Sequence, residues 1–76
     1  MENNKVKVKI YGQEYVIAGD KSREEIIQVA AHVDTKMQEI TEAAKSAGAT
    51  SSNIAVLAAV NIASEYFQML DEMEEL

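Results

Sequence analysis

Few side chains in this sequence of 76 residues have the chemistry of a catalytic centre or a metal site. There is no cysteine and only one histidine, His32, so disulfides and thiolate metal sites are excluded and no second imidazole is available. The carboxylates of Glu24 and Glu25, like those of Glu74 and Glu75, diverge on a helix and cannot share an acid–base reaction. The three glycines form no phosphate-binding loop. We therefore expect no enzyme activity, no metal and no cofactor, with His32 exposed on the flank of a helix.

The charged residues point instead to protein recognition. The net charge of −6 argues against general affinity for nucleic acids or anionic membranes. The first 23 residues nevertheless carry five basic and three acidic groups, whereas residues 65–76 carry five acids and no base. Lys5, Lys7 and Lys9 either keep an edge strand soluble or recognise an acidic partner. Two further basic groups nearby favour recognition. The predicted partner-binding residues are Lys7, Lys9, Lys21 and Arg23.

The length and hydropathy of the chain limit its class and location. The first twelve residues lack the continuous apolar region of a signal peptide, and no run approaches the roughly 20 apolar residues of a membrane span. We expect a soluble, cytoplasmic protein, and the absence of cysteine fits a reducing compartment. With 76 residues the chain forms at most one domain, of a size at which oligomerisation commonly supplements a small core.

The elements that position these groups begin with a β-hairpin. Residues 5–11 alternate polar and apolar side chains, as a half-buried strand does. Gly12 and Gln13 suit a two-residue type II′ loop, which pairs Ile10 with Tyr15. One face then carries the apolar residues, and the three lysines share the other face. The apolar residues are Val6, Val8, Ile10, Tyr15 and Ile17.

A first helix follows the hairpin. Residues 22–25 fit a capping box with Ser22 as the N-cap, and Gly48 suits the left-handed C′ position after the last turn. The linker is short, and Ser51, Ser52 or Asn53 can cap the next helix, so the two helices are antiparallel neighbours or cross steeply. The apolar stripe of the first helix is predicted to be Ile26, Val29, Ala30, Val33, Met37, Ile40 and Ala44.

The second helix carries two adjacent heptad seams, which together cover about 200° of its surface. The first seam is Ala55, Ala59, Ile62, Tyr66, Met69, Met73 and Leu76. The second seam is Val56, Val60, Ala63, Phe67 and Leu70. One neighbouring element cannot cover so wide an arc, so we predict that all twelve residues contribute to an oligomer interface.

These elements predict an α+β protein with a small ββα head at residues 1–52 and a long coiled-coil helix at residues 53–76. Residues 54–60 are apolar on all sides, so the start of this helix is expected to be buried against the hairpin and the first helix. Beyond Ala63 a polar face, which includes Glu65, is expected to face water. The heptad pattern stops in mid-repeat, which favours a truncated chain or a short form of a longer coiled coil.

Three segments together resemble the ZapA family of bacterial cell-division proteins. VKVKIYGQEYVIAG at 6–19 is similar to the family's opening hairpin, and SREEIIQVAAHVDTKMQEI at 22–40 to its first helix. AVLAAVNIASEYF at 55–67 is similar to the family's Ala-Ala-Leu-Asn-Ile-Ala/Ser-x-Glu signature, with Val60 where leucine is frequent. The resemblance implies dimers built through the long helix, antiparallel tetramers, and binding to FtsZ, the tubulin-like division protein, whose filaments it cross-links at midcell. The distal coiled coil on which the tetramer depends has no counterpart in these residues.

Two other functional classes fit the same pattern of elements. A generic coiled-coil dimerisation adaptor would have the same seams without affinity for FtsZ. A small toxin–antitoxin or transcription-factor module could also be a ββαα dimer, but the net charge of −6 disfavours DNA binding. The expected partners are therefore FtsZ filaments and a second copy of this chain, without nucleic acid or membrane.

Overall fold

The computed structural model describes residues 4–44 and 50–74. In chain order these residues form β1 (Asn4–Ile10), β2 (Gln13–Gly19), α1 (Arg23–Ala43) and α2 (Ser51–Glu74). The two strands pair as an antiparallel sheet, β1 packs on α1, and α1 packs on α2. The predicted α+β fold, a hairpin followed by two helices, is confirmed.

The hairpin turn lies one residue earlier than the sequence analysis predicted. Ile10 pairs with Gln13, so the loop is Tyr11 and Gly12, at φ values of 53° and 82°. Positive φ at both central residues defines a type I′ turn, which replaces the predicted type II′ turn. The pairing moves by two positions along β2, so every side chain keeps its predicted face. Val6 and Val8 are buried on the inner face, as expected.

The ends of the helices follow the capping rules, with one correction. Ser22 Oγ accepts a hydrogen bond of 3.1 Å from the amide of Glu25, which confirms the predicted start of α1. Before α2, the hydroxyl oxygen of Thr50 accepts a hydrogen bond of 3.2 Å from the backbone amide of Asn53. The cap is therefore one residue earlier than the three candidates, because the first turn already includes Ser51. The predicted C′ residue Gly48 lies outside the described residues.

The buried apolar side chains form two clusters, one on each side of α1. The first cluster, between the hairpin and α1, consists of Val6, Val8, Ile26 and Ala30. The second cluster, between α1 and α2, consists of Met37, Ile54 and Ala58. Ile10 packs against both clusters, so the end of β1 joins them. A core this small stabilises a single chain only weakly.

The start of α2 is covered on one side only, and the prediction that residues 54–60 are buried all round was wrong. Ile54 is 2% exposed and Ala58 is 1% exposed, but Val56, Leu57 and Val60 are open to solvent. The reason is that the hairpin packs mainly on α1 and only its tip reaches the second cluster. Val29, predicted in the buried stripe of α1, is also exposed, because neither the hairpin nor α2 covers its side chain.

The chain is thin and spread out for its size. Its Cα atoms extend over 45 × 40 × 14 Å with a radius of gyration of 14.6 Å. A compact domain of this length has a radius of about 11 Å. Its accessible surface is 6119 Å², whereas a folded monomer of this mass exposes about 4,600 Å². The excess, on the order of 1,500 Å², is surface that a partner can cover.

Candidate interaction surfaces

The outward side of α2 is a continuous apolar face. Its large exposed side chains, which we call the apolar face, are Val56, Val60, Tyr66, Phe67, Met69, Leu70 and Met73. Phe67 is 62% exposed and Met73 is 66% exposed, although soluble monomers seldom leave so many large apolar side chains on one element. All seven belong to the two predicted seams. An exposed apolar surface of this kind is typical of protein–protein interfaces.

The smaller seam residues form the floor of a groove beside this face. Ala55, Ala59 and Ala63 are exposed and Ile62 is half-buried, whereas Leu76 lies outside the described residues. The groove has a volume of about 490 Å³. The other residues that line it are Val33 of α1 and Ala58 and Tyr66 of α2. Small side chains let another helix approach closely, so the groove suits the packing of a helix from a partner.

Two residues of the apolar surface were not among the predicted interface residues. Leu57 is exposed on α2 outside both seams, because a helix turns about 100° per residue and this residue lies roughly that far beyond the second seam, and Val33 reaches the groove from α1. The helical spacing of Val33 predicts a place in the buried stripe of the first helix. Hydrophobic periodicity cannot separate a residue that faces its own chain from one that faces a partner.

The basic residues form a strip rather than one compact cluster. Lys5, Lys7 and Lys9 lie on the outer face of β1, opposite Ala18, Val16 and Glu14 of β2. The carbonyl oxygen of Lys21 accepts a hydrogen bond of 2.7 Å from Nδ2 of Asn4, which brings the 20–23 segment beside the start of β1. Because a strand rises about 3.3 Å per residue, the far end of the strip lies roughly 17 Å from this point.

The five basic residues of this strip form no salt bridge with an acidic group of the described residues. Among residues 4–44 and 50–74, no acidic group lies within salt-bridge distance of Lys5, Lys7, Lys9, Lys21 or Arg23. We call these five residues the basic strip. Lys7 and Lys9 lie towards the turn, whereas Lys21 and Arg23 lie at the opposite end, so the four predicted partner-binding residues would contact a partner over an extended line.

A polar contact joins the two helices beyond the second cluster. Nζ of Lys36 donates a hydrogen bond to Oε2 of Glu65 and lies 3.8 Å from Oε1 of Glu39. The Lys36 side chain is only 14% exposed. The hydrogen bond from Glu65 raises the pKa of Lys36 above its ordinary value, against a smaller opposing effect of desolvation. Glu65 is exposed, as expected for the polar face, and its carboxylate also contacts Lys36 across the two helices.

The single histidine contacts the same acidic residue of α2. His32 is exposed, and its Nε2 lies 4.0 Å from Oε1 of Glu65. Within the part of the chain that the structure describes, no group of three or more histidine or acidic side chains could hold a metal ion. In the same residues, neither helix combines the length and apolar character needed to cross a membrane.

Comparison with known proteins places these features in a family. The family model described as cell division protein ZapA matches residues 6–76. The cell division protein ZapA of Bacillus thuringiensis (strain Al Hakam) is 41% identical over 75 residues, covering 99% of this chain and 82% of that protein. The ZapA of Bacillus licheniformis is 40% identical over 75 residues, covering 99% and 86%. A solved ZapA mutant dimer from Geobacillus stearothermophilus superposes with a TM-score of 0.75 at 41% identity, covering 99% of this chain and 85% of the other.

Proposed function

The chain belongs to the ZapA family of cell division proteins, and we propose that it binds FtsZ filaments in the cytoplasm at midcell and cross-links them into bundles. The observation that carries this proposal is the separation of two surfaces on one small chain. The apolar face lies on α2, and the basic strip lies on the hairpin and the segment that leads into α1. One surface is suited to assembly and the other to an acidic partner.

Self-association supplies the second binding site that cross-linking needs. The similar solved structure from Geobacillus stearothermophilus is a dimer. The apolar face of this chain and its excess accessible surface are consistent with the same arrangement here. Since a stable interface buries about 800 Å² per partner, a dimer through α2 could cover much of that excess.

Bivalence converts weak recognition into bundling. One head on one FtsZ subunit would bind weakly, but a second head on the same assembly raises the effective concentration for a second contact. A polymer presents many identical subunits, so a dimer with two heads can bridge neighbouring filaments. The stiffness of a helix of 24 residues holds the heads at a defined separation.

Electrostatic attraction supplies the recognition step. The five cations of the basic strip have no acidic partner among the described residues, so each is available to carboxylates of another protein. Complementary charges raise the association rate and help to exclude wrong partners. Screening by salt shortens the range of this attraction to about 8 Å at physiological ionic strength, so binding should weaken as salt is added.

Co-sedimentation with polymerised FtsZ tests the proposal. The double variant Lys7→Glu, Lys9→Glu should lose co-sedimentation while its oligomer mass stays unchanged. The control Ser64→Glu, Gln68→Glu adds two negative charges on α2, away from the strip, and should pellet like the unmodified protein. If the variant with reversed charges bundles filaments normally at both low and high salt, the lysines serve only solubility and recognition lies elsewhere. Failure of the unmodified dimer to pellet at all would favour a dimerisation adaptor.

A further inference from the structure

The outer edge of β1 carries unpaired backbone groups at the same residues that carry the lysine side chains. The turn at Tyr11 and Gly12 joins the Ile10 carbonyl to the Gln13 amide, so this pair is hydrogen-bonded. Hydrogen-bonded and non-bonded pairs alternate along an antiparallel ladder. Lys5, Lys7 and Lys9 therefore occupy the non-bonded pairs. Their N–H and C=O groups point away from β2, and the described sheet has no third strand to receive them.

The side chains of these residues give the edge its charge. All three lysines point to the outer face, because residues two apart share a face of a strand, and they are spaced by roughly 6.6 Å. An extended chain places alternate side chains at the same spacing. Each lysine therefore offers one backbone donor, one backbone acceptor and one cation to a strand added at this edge.

One flank of α1 lies below the same edge. Ile27, Asp34 and Thr41 are seven residues apart, so they share a stripe of the helix. Asp34 and Thr41 both bind Tyr11, the residue that directly follows β1. Ile27 therefore belongs to the flank of α1 that faces β1, and it is 44% exposed.

The opposite flank of α1 faces β2 and α2, which supports this placement. Val29 lines a cavity with Ile17 of β2, and Val33 lines another with Tyr15 of β2. Val33 also lines the groove beside α2. Ile27 is thus separated from both the second strand and the second helix. It would lie beneath a strand placed beside β1, where it could be covered.

We propose that the outer edge of β1 binds an extended acidic segment of a partner protein as a third strand. Acidic side chains at alternate positions would lie beside Lys5, Lys7 and Lys9, and the intervening side chains, which are apolar, would cover Ile27. A second copy of β1 is a poor occupant because its own lysines would lie opposite these three. The inference deepens the proposed function and rests on it, since it states how the basic strip would hold the filament.

A synthetic peptide separates backbone pairing from simple charge attraction. The probe is a capped seven-residue peptide of alternating glutamate and valine, titrated into the full chain. Two further peptides carry N-methyl groups, one on the glutamate amides and the other on the valine amides. Since only one set of amides faces β1 in an added strand, one methylated peptide should bind at least tenfold more weakly and the other should bind like the parent. Equal binding by all three peptides, equal loss with both methylated peptides, or no binding of the parent peptide would overturn the proposal.

Amide hydrogen exchange locates the binding edge within the chain. With the parent peptide bound, exchange should slow at Lys5, Lys7 and Lys9 by at least tenfold. The amides of β2 at positions 14, 16 and 18 point to the opposite edge, so they are an internal control and should not change. Slowing at both edges, or at neither, contradicts binding at the β1 edge.

Proline variants connect the edge to the filament. Lys7→Pro removes an outward N–H, Lys7→Ala removes only the charge, and Val16→Pro removes an outward N–H from the opposite edge. We expect Lys7→Pro to reduce FtsZ pelleting at least tenfold more than Lys7→Ala does. Val16→Pro should pellet like the unmodified protein. Circular dichroism should show that all three variants are folded. If the unmodified chain does not pellet, the proposed function fails while the peptide experiment still decides the edge. If it pellets and the peptide gives no protection at β1, the edge inference fails while the proposed function stands.

Discussion

The backbone amide of Tyr11 donates a hydrogen bond of 2.7 Å to Oδ1 of Asp34, across 23 positions of sequence. The hydroxyl of Tyr11 also lies 2.6 Å from that of Thr41, which lies about two turns further along the same stripe of α1. These two contacts hold a tyrosine at a φ of 53°, in the left-handed region that bulky residues seldom adopt. The tip of the hairpin is thereby attached to the middle of α1, and the strip on β1 takes its orientation from this attachment.

Removing the Asp34 carboxylate should loosen the hairpin from α1. Asp34→Ala should lower the free energy of unfolding by about 1.5–3 kcal/mol, because a part-buried amide loses a charged acceptor. Asp34→Asn should recover part of this loss, since its side-chain oxygen can still accept. The control Gln38→Ala removes the exposed donor to Oδ2 of Asp34 and should have little effect. Urea denaturation of the unmodified protein and the three variants, all at the same protein concentration, measures their free energies of unfolding. Equal stability of Asp34→Ala and Gln38→Ala would show that the hydrogen bond between Tyr11 and Asp34 is unimportant.

The two glycines of the hairpin should respond differently to an added methyl group. Gly12→Ala should destabilise the protein by about 1 kcal/mol or more, because φ at Gly12 is +82° and an L residue is strained there. Gly19→Ala should be neutral or slightly stabilising, since its φ is not in the left-handed region. A Cβ at either position meets no other atom within 4 Å, so the pair isolates backbone conformation from packing. Thermal unfolding followed by circular dichroism gives the result, and a Gly12→Ala variant as stable as Gly19→Ala would rule out the type I′ turn.

The apolar face should make the chain a dimer or a larger oligomer at micromolar concentration. Tyr66→Glu should dissociate it and lower its melting temperature, because a charge in a dry interface has no partner there. Gln68→Glu adds the same charge beside the face and should change neither property. Light scattering after gel filtration measures the mass of each protein. A monomeric unmodified chain with full helicity would contradict the assignment of α2 as the oligomer interface.

The contact between Lys36 and Glu65 should stabilise the protein up to an alkaline limit. Because the hydrogen bond to Glu65 raises the pKa of Lys36, its contribution is fully present below the ordinary value of 10.5 and is lost as the pH rises through the higher folded value. Glu65→Gln should therefore melt at a lower temperature than the unmodified protein at neutral pH, and the difference should shrink above pH 10.5. Melting curves of both proteins from about pH 7 to about pH 12 measure this difference in melting temperature. A difference that does not change with pH would show that the contact contributes through packing alone.

The sequence by itself determined the elements and their faces. Helix capping at Ser22, the alternation along β1 and the heptad seams of α2 are local or periodic patterns, so they can be recognised without knowing which elements meet. The faces of the hairpin were predicted correctly although its turn was not, because moving the pairing by two positions leaves every side chain on the same face. The sequence also shows that residues 54–60 are apolar. It does not show which side of this segment packs against the rest of the chain.

Only the tertiary structure decided where the elements meet. The turn falls on Tyr11 because Asp34 and Thr41, far along the chain, hold that residue in an otherwise unfavourable conformation. The crossing of α1 and α2 likewise selects Ile54 and Ala58 for burial and leaves Val29 exposed. It also brings Glu65 to Lys36 across 29 positions. These outcomes depend on distances between residues that are remote in sequence, and a periodic pattern contains no information about such distances.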